Sequence, residues 1–313
     1  YIISIIILIF KSQYINSFTI SWSFPLTFLM SNGNIFLITR EKIQVYDQNL
    51  KELKSSHDFS TDSTDQVVAS LSDSALRNIA QFSDVYIIAL VKKTFFIFSE
   101  EGIYIHEIIL EKNYNVVIQS YSLIPYKYDS EYHYYILAFM ENSRIVIQYY
   151  KLKIDLIWNV NSENTFLKDF NYTAIDSSGS QLSLKPNALS CQLMKRDGYE
   201  DEILACFYEL YYNKKLEVRL FTISNDGITE INLDKANSNH EESLTIIKSA
   251  VSRNKKKALI CYINGFCLTY DVDLNEFTNE IKYFKKCKEE YVSMNIYYFQ
   301  EKDEYMFACN DAD

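Results

Sequence analysis

Apolar and polar residues along this chain follow one arrangement that recurs six times: two apolar runs separated by a polar turn. The runs are short, rich in Ile, Tyr and Phe, and bounded by Asn, Gly, Lys and Asp, which is the pattern of β-strands. The sequence therefore predicts an all-β repeat protein. The second runs of the six units begin at Ile35, Tyr86, Tyr135, Ile203, Ala258 and Tyr305.

The spacing of the six units predicts how the strands are organised. Successive second runs begin 51, 49, 68, 55 and 47 residues apart, close to the roughly 40 to 50 residues of a four-stranded propeller blade. The second unit divides into four apolar stretches, at 77–82, 85–91, 94–99 and 103–110. Five of the six glycines fall between predicted strands, where turns need positive φ. We therefore predict a β-propeller of about six four-stranded blades.

The end of the chain departs from this regularity. The sixth unit has two predicted strands, at 292–299 and 305–309, and a spare candidate strand lies at 18–22. Propellers commonly close by combining strands from both termini, which protects the exposed edges. We expect the last blade to hold at most three strands. The chain would then be a fragment of a longer protein, with seven blades as the alternative for the full protein.

The N-terminal segment predicts the compartment. Residues 1–10 are almost entirely apolar and are followed by polar residues, which suits a signal peptide with cleavage near Ser17. We predict a leader at 1–17 and a propeller domain at 18–313, in the secretory pathway, extracellular or at the cell surface. A buried β-strand is the alternative for 1–10. We expect no membrane-spanning segment, since no stretch approaches about 18 apolar residues.

Six cysteines, an even number, lie in the second half of the chain. A secreted chain is expected to oxidise them. Cys287 precedes one predicted strand of the last hairpin and Cys309 ends the other, so these two are expected to close that hairpin. Free core thiols are the alternative. A zinc site is disfavoured because the chain has no Cys-x-x-Cys motif.

The other four cysteines are expected to form two bridges within blades. Cys191 and Cys206 are equidistant from the centre of their hairpin loop, so they should face each other. Cys261 and Cys267 face each other if their turn has three residues, and lie on opposite faces if it has two.

Two long polar segments are the predicted binding loops, because binding residues concentrate in loops on a rigid scaffold. One is 55–74, between the first two blades, and the other is 160–186, which explains the 68-residue interval. The second contains the glycosylation sequon Asn171-Tyr-Thr173. A linker without binding function is the alternative for each segment.

Charge and motifs restrict the function. The formal net charge of −10 disfavours nucleic-acid binding. No catalytic nucleophile motif or phosphate-binding loop is present, and we predict no cofactor, metal site or catalytic residue. The segment 271–275 resembles the start of a calcium loop, but Glu276 stands where that loop needs Gly.

The apolar leader, in-blade cysteine pairs and roughly 50-residue units together resemble secreted, cysteine-pinned β-propellers and propeller ectodomains of protozoan parasites. The resemblance implies a non-enzymatic protein-interaction or adhesion module whose partner is another protein. Two alternatives stay open: a propeller hydrolase or lyase with an acidic site at the channel mouth, and a structural scaffold subunit of a larger complex.

Overall fold

The computed structural model describes most of the predicted strands and, in part, the turns between them. Side chains are described chiefly for the third, fourth and fifth repeat units. The described backbone covers residues 3–10, 15–22, 27–31, 34–38, 42–47, 52–58, 79–82, 86–91, 94–99, 104–109, 121–153, 163–211, 215–224, 226–233, 236, 247–262, 266–282, 294–299 and 304–310.

Within those residues the secondary structure is entirely β, in six four-stranded antiparallel sheets. The strands are, in chain order, β1 (Ile3–Phe10), β2 (Ile15–Trp22), β3 (Thr27–Ser31), β4 (Asn34–Ile38), β5 (Lys42–Asp47), β6 (Leu53–Asp58), β7 (Ile79–Phe82), β8 (Tyr86–Val91), β9 (Thr94–Ser99), β10 (Tyr104–Ile109), β11 (Tyr121–Tyr128), β12 (His133–Glu141), β13 (Arg144–Lys153), β14 (Glu163–Tyr172), β15 (Leu184–Met194), β16 (Ile203–Leu210), β17 (Leu216–Ile223), β18 (Ile228–Glu230), β19 (Ile247–Val251), β20 (Lys257–Tyr262), β21 (Phe266–Asp271), β22 (Glu276–Lys282), β23 (Met294–Phe299) and β24 (Glu304–Asn310).

The six sheets form a closed ring. Five are built from consecutive strands, starting at β3, β7, β11, β15 and β19. The first strand of each sheet contacts the first strand of the next, and β23 of the sixth sheet contacts both β19 and β3. Sheets arranged radially with their first strands innermost define a β-propeller, so the predicted fold class is confirmed.

The sixth blade corrects one expectation. Its strand order is β2-β1-β24-β23, so both termini contribute two strands each. Ile7 of β1 lies opposite Ala308 of β24. The expectation of at most three strands is therefore wrong for this structure, because the apolar N-terminal run serves as a central strand of the sheet. The leader at 1–17 stays a prediction; here those residues contain β1 and the beginning of β2.

Two fourth strands also differ from their predicted positions. The outer strand of the third blade, β14, lies inside the segment 160–186 that was expected to be a loop, and β6 of the first blade lies partly inside the expected loop 55–74. Both strands are polar, since an outermost strand presents much of its surface to solvent. Their hydrophobicity is too low to mark them as strands.

The described core lies in two apolar layers between neighbouring blades. One layer joins the third and fourth blades, around Tyr149, Tyr208 and Phe221. The other joins the fourth and fifth blades, around Phe207 and Tyr270. The eight largest fully buried side chains in the described region are all Tyr or Phe. This explains why a chain so rich in Tyr and Phe packs into blades.

Serine hydroxyls link the innermost strands of successive blades. The Cys191 amide donates to Ser122 Oγ at 2.9 Å, and the Ser249 amide donates to Ser190 Oγ at 3.0 Å. These amides belong to the inner edges of β15 and β19, where no further strand pairs with them. The hydroxyls therefore satisfy backbone donors that a sheet edge would otherwise leave open.

Candidate interaction surface

The blade topology divides the loops between two faces of the ring. In an antiparallel sheet the loops after the first and third strands emerge at one end, which we call the hairpin face. The loops after the second strand and the connections to the next blade emerge at the other end, which we call the connection face. Both predicted binding segments, 55–74 and 160–186, follow or include a fourth strand, so both lead to the connection face.

Each of these two segments contains part of a β-strand in the structure. Residues 55–58 belong to β6, and 59–78 lie outside the described residues. In the second segment, β14 and the beginning of β15 enclose a compact turn at 173–183. Most of the described part of that predicted loop is therefore regular structure.

Asp176 holds this turn in one conformation. Its Oδ1 accepts hydrogen bonds from the Ser178 amide, the Ser178 hydroxyl and the Ser180 amide, at 2.6 to 2.9 Å. These donors, the Ser178 hydroxyl foremost, lower the pKa of the Asp176 carboxyl. Gly179 has φ +82°, a conformation that side chains with a Cβ disfavour. An isolated bridge between Ile175 and Gln181 closes the turn.

Two large apolar side chains are exposed beside this turn. Ile175 is 52% exposed and Tyr211, which follows β16 in the fourth blade, is 59% exposed. The Tyr211 amide donates to the Ser183 carbonyl oxygen at 2.9 Å, so Tyr211 lies at the base of the turn. We call Ile175, Tyr211 and the turn 173–183 the connection-face patch. Neither residue is predicted from the sequence, because exposure of one apolar residue leaves no periodic signal.

Asn171, the predicted glycosylation site, lies on the outer strand β14 close to this patch. Its side chain is exposed, and it pairs with Val146 of β13. Exposure is a requirement of the modification, which itself stays a prediction.

Ion pairs occupy the described loops of the hairpin face between the fourth and fifth blades. Lys256 Nζ donates to Asp197 Oδ1 at 2.5 Å and to Asp273 Oδ2 at 2.6 Å. Hydrogen bonds to these two carboxylates raise the pKa of Lys256. Asp271, the first residue of the calcium-like segment, accepts the amides of Asp273 and Leu274. These carboxylates therefore connect loops within the protein.

A buried polar network joins the third and fourth blades. Tyr208 donates to Glu217 Oε2 at 2.9 Å, and the hydroxyls of Tyr172 and Tyr208 are 3.0 Å apart. Arg219 donates from Nε to the Tyr172 hydroxyl and pairs with Glu230 at 3.4 Å. Every member has a partner within the network, which favours a structural role. Glu217 and Arg219 alternate with apolar residues in β17, and this signal could have located the network in the sequence.

The structure places the four cysteines of the fourth and fifth blades in the two predicted pairs. Cys261 and Cys267 are opposite each other on β20 and β21 and form a disulfide. β20 ends at Tyr262 and β21 begins at Phe266, so the turn between the strands has three residues. This is the turn length that places the two cysteines opposite each other. Cys191 and Cys206 are also opposite each other, as predicted, but both thiols are free and buried.

The third predicted cysteine pair lies partly outside the described residues. Cys287 lies outside the described residues, and Cys309 belongs to β24, opposite Met294 of β23 and Ile6 of β1. Their bridge stays a prediction.

The structure describes side chains on the innermost strands of the third, fourth and fifth blades. On the innermost strands β11, β15 and β19 the charged side chains described there are Lys127, Lys185 and Lys248, with no carboxylate among them. The described residues of the chain as a whole bring no three His, Cys, Asp or Glu side chains together as a metal site would. They also contain no helix with the length and hydrophobicity to span a membrane.

Comparisons with known proteins identify similar structures and no sequence family. No family model matches the chain, and no curated protein resembles it in sequence. A crystal structure of the WD40 domain of SCAP from fission yeast is similar over 82% of this chain, with 12% identity and a TM-score of 0.46. The chain spans about half of that structure, 52% of its length.

Two further structures align over more of their own length. BamB from Moraxella catarrhalis is 9% identical with a TM-score of 0.44, over 96% of this chain and 89% of the other. The Cps50 (Swd1) β-propeller domain from Myceliophteria thermophila is 6% identical with a TM-score of 0.43, over 90% and 95%. At these identities the likeness concerns the fold alone, and the propeller assignment rests on the closed ring of six blades in this chain.

Proposed function

We propose that this propeller is a non-enzymatic protein-interaction module that binds another protein through its connection-face patch. The observation that carries the proposal is the exposure of Ile175 and Tyr211 beside a turn held rigid by Asp176. Large apolar side chains on a preordered turn can be buried by a partner with little further loss of conformational entropy.

The arrangement of charges supports binding over catalysis. The buried carboxylate Glu217 accepts a hydrogen bond from Tyr208, and Asp197 and Asp273 are paired with Lys256. A catalytic carboxylate would need access to a substrate, whereas these groups are engaged within the fold.

We also propose that the module acts in the secretory pathway or at a cell surface, where adhesion is its fitting role. The Cys261–Cys267 disulfide suits an oxidising compartment, and the exposed Asn171 sequon suits glycosylation there.

The test is affinity capture from the organism's own cells, followed by direct binding to the protein that is captured. Wild type is compared with a double variant, Ile175→Glu with Tyr211→Glu, which places two charges in the patch. The matched control is Leu274→Glu on the hairpin face, where Leu274 is 63% exposed.

We expect the control to bind as wild type does and the double variant to lose at least tenfold in affinity, since a charge buried against an apolar surface is strongly disfavoured. Equal binding by all three proteins would refute the proposal that the partner binds the connection-face patch. Loss of binding only in Leu274→Glu would transfer the site to the hairpin face.

A further inference from the structure

The thiols of Cys191 and Cys206 are enclosed in the apolar layer between the third and fourth blades. Cys191 belongs to the innermost strand β15 and Cys206 to β16, and the two residues are directly opposite each other. Their exposed fractions are 1% and 0%, and their side chains are in hydrogen-bond contact. The sulfur atoms are therefore neighbours in a site that solvent does not reach.

The backbone around Cys191 shows which kind of cross-strand pair this is. In an antiparallel ladder the amide of a residue points either towards the paired strand or away from it. The Cys191 amide donates to Ser122 Oγ in the third blade, so it points away from β16. The pair therefore occupies a non-hydrogen-bonded position, where opposite Cα atoms are about 4.5 Å apart and the side chains are closest. That spacing is within the range that a disulfide requires.

We propose that Cys191 and Cys206 are an oxidative modification site, which a small-molecule disulfide converts into a cross-strand disulfide that ties the innermost strand of the fourth blade to its neighbour. In the first step one cysteine thiolate attacks the small disulfide, forms a mixed disulfide and releases one small thiol. In the second step the other thiolate attacks the cysteine sulfur of the mixed disulfide and releases the second small thiol. The two cysteine protons end on the two released thiols.

Burial determines when this reaction takes place. Removal from solvent raises the pKa of the Cys206 thiol, and the contact with Cys191 adds to the effect. A Cys206 thiolate is therefore scarce in the folded protein. Oxidation is expected to be slow in the closed blade and fast while the blade folds or opens. The proposed site does not depend on the proposed interaction function.

The bond would strengthen the blade at one defined place. The ring is continuous only while β15 remains both in its own sheet and against the innermost strands of the adjacent blades. A covalent link from β15 to β16 restricts separation of the innermost strand, and it shortens the free loop of the unfolded chain. The oxidised protein should therefore unfold at a higher urea concentration than the reduced protein.

The experiment is peptide mapping of the intact chain after refolding in oxidised glutathione. Free thiols are blocked with iodoacetamide, and the protein is digested with trypsin without reductant. Cys191 and Cys206 fall in different tryptic peptides, 169–195 and 197–214, whereas Cys261 and Cys267 share the peptide 258–282. The proposed bond therefore joins two peptides, and the other bond remains within one.

We expect a joined peptide about 2 Da lighter than the sum of its two thiol forms, because two hydrogens are lost. It should disappear on reduction and in the Cys191→Ser variant, and persist in the matched Cys261→Ser variant. Recovery of both peptides alkylated and separate after oxidative refolding would overturn the proposal. So would a joined peptide that pairs either cysteine with Cys287 or Cys309.

A second measurement uses wild type alone, so it does not depend on whether the cysteine variants fold. Urea unfolding is compared among wild-type samples that contain different fractions of the joined peptide and the same fraction of the Cys261–Cys267 bond. A midpoint that rises with the amount of joined peptide supports the proposal, and an unchanged midpoint contradicts the strengthening of the blade.

Discussion

The Tyr208 hydroxyl donates a 2.9 Å hydrogen bond to Glu217 Oε2 in the layer between the third and fourth blades. Tyr208 is completely buried and Glu217 is 4% exposed. The two residues are directly opposite each other on β16 and β17. A carboxylate in such a site is tolerated only when donors surround it, so this bond is part of the condition for folding.

Tyr208→Phe is expected to destabilise the protein by about 1.5 to 3 kcal/mol, the range for a lost hydrogen bond to a charged group. The substitution keeps the ring and removes only the hydroxyl that donates to Glu217. Urea unfolding followed by circular dichroism measures the change.

The control is Tyr199→Phe on the hairpin face, where the side chain is 36% exposed. It should change stability by less than about 0.5 kcal/mol. Equal effects of the two variants would mean that the hydrogen bond does not stabilise the core.

Alkaline pH should unfold the protein because ionisation of its buried tyrosines favours the unfolded state. Burial raises the pKa of Tyr149, Tyr208, Tyr262 and Tyr270 above the ordinary value. A group whose pKa is higher in the folded state stabilises that state fully below its unfolded pKa, about 10 for Tyr. The stabilisation is lost as the pH rises from that value towards the folded pKa.

Absorbance at the phenolate band during a pH titration measures this effect. Of the 26 tyrosines, the exposed ones should titrate gradually near pH 10, and the buried ones should ionise together with loss of the β-sheet circular dichroism signal. Gradual titration of all tyrosines with the sheet signal intact would show that these hydroxyls are not buried.

Asp176→Ala is expected to loosen the turn 173–183 and leave the blades intact. The carboxylate accepts the amides of both Ser178 and Ser180. Hydrogen exchange at those two amides should become faster, and the urea midpoint should change little because the turn is at the surface. Unchanged exchange at both amides would show that Asp176 does not hold the turn.

The sequence predicts the strands best where they are apolar on both faces. The facing of Cys191 and Cys206 follows from the repeat, because paired residues in a hairpin have a constant sum of numbers. The turn between Cys261 and Cys267 was left open between two and three residues, and the structure has three. The outer strand β14 was missed because its residues are largely polar. Residues 1–10 were predicted to belong to a leader, with a buried strand as the alternative, and in the structure they contain β1.

The candidate patch and the buried network needed the structure. Ile175 and Tyr211 are 36 residues apart in the sequence. Ile175 lies in the connection between the third and fourth blades and Tyr211 follows β16, and they are related by the hydrogen bond from the Tyr211 amide to Ser183. Tyr172 and Arg219 are related in the same way, across the interface of two blades. Local patterns carry no information about contacts at such separations.

Lys256→Ala is expected to release the hairpin-face loops of the fourth and fifth blades from each other. Lys256 binds both Asp197 and Asp273, and the Asp197 amide donates to Asp273 Oδ1 at 2.8 Å. Faster hydrogen exchange at the Asp197 amide should follow, with little effect on the unfolding midpoint because exposed ion pairs contribute little to stability.

Raising the salt concentration should reproduce part of this effect in wild type, since salt screens the pairs. The matched variant Lys257→Ala removes a lysine whose closest carboxylate contact is at 3.9 Å. It should leave the Asp197 amide unchanged. The same exchange rate in both variants would contradict the specific role of Lys256.

In this structure β1 closes a six-bladed ring by pairing with β24. Hydrogen–deuterium exchange of the full chain tests this closure most directly, by comparing peptides that cover Ile3–Phe10 and Glu304–Asn310. Both peptides should be strongly protected and should lose that protection together as urea is raised, because each strand supplies hydrogen bonds to the other. Complete exchange of 3–10 at the earliest time, with 304–310 still protected, would contradict closure by β1.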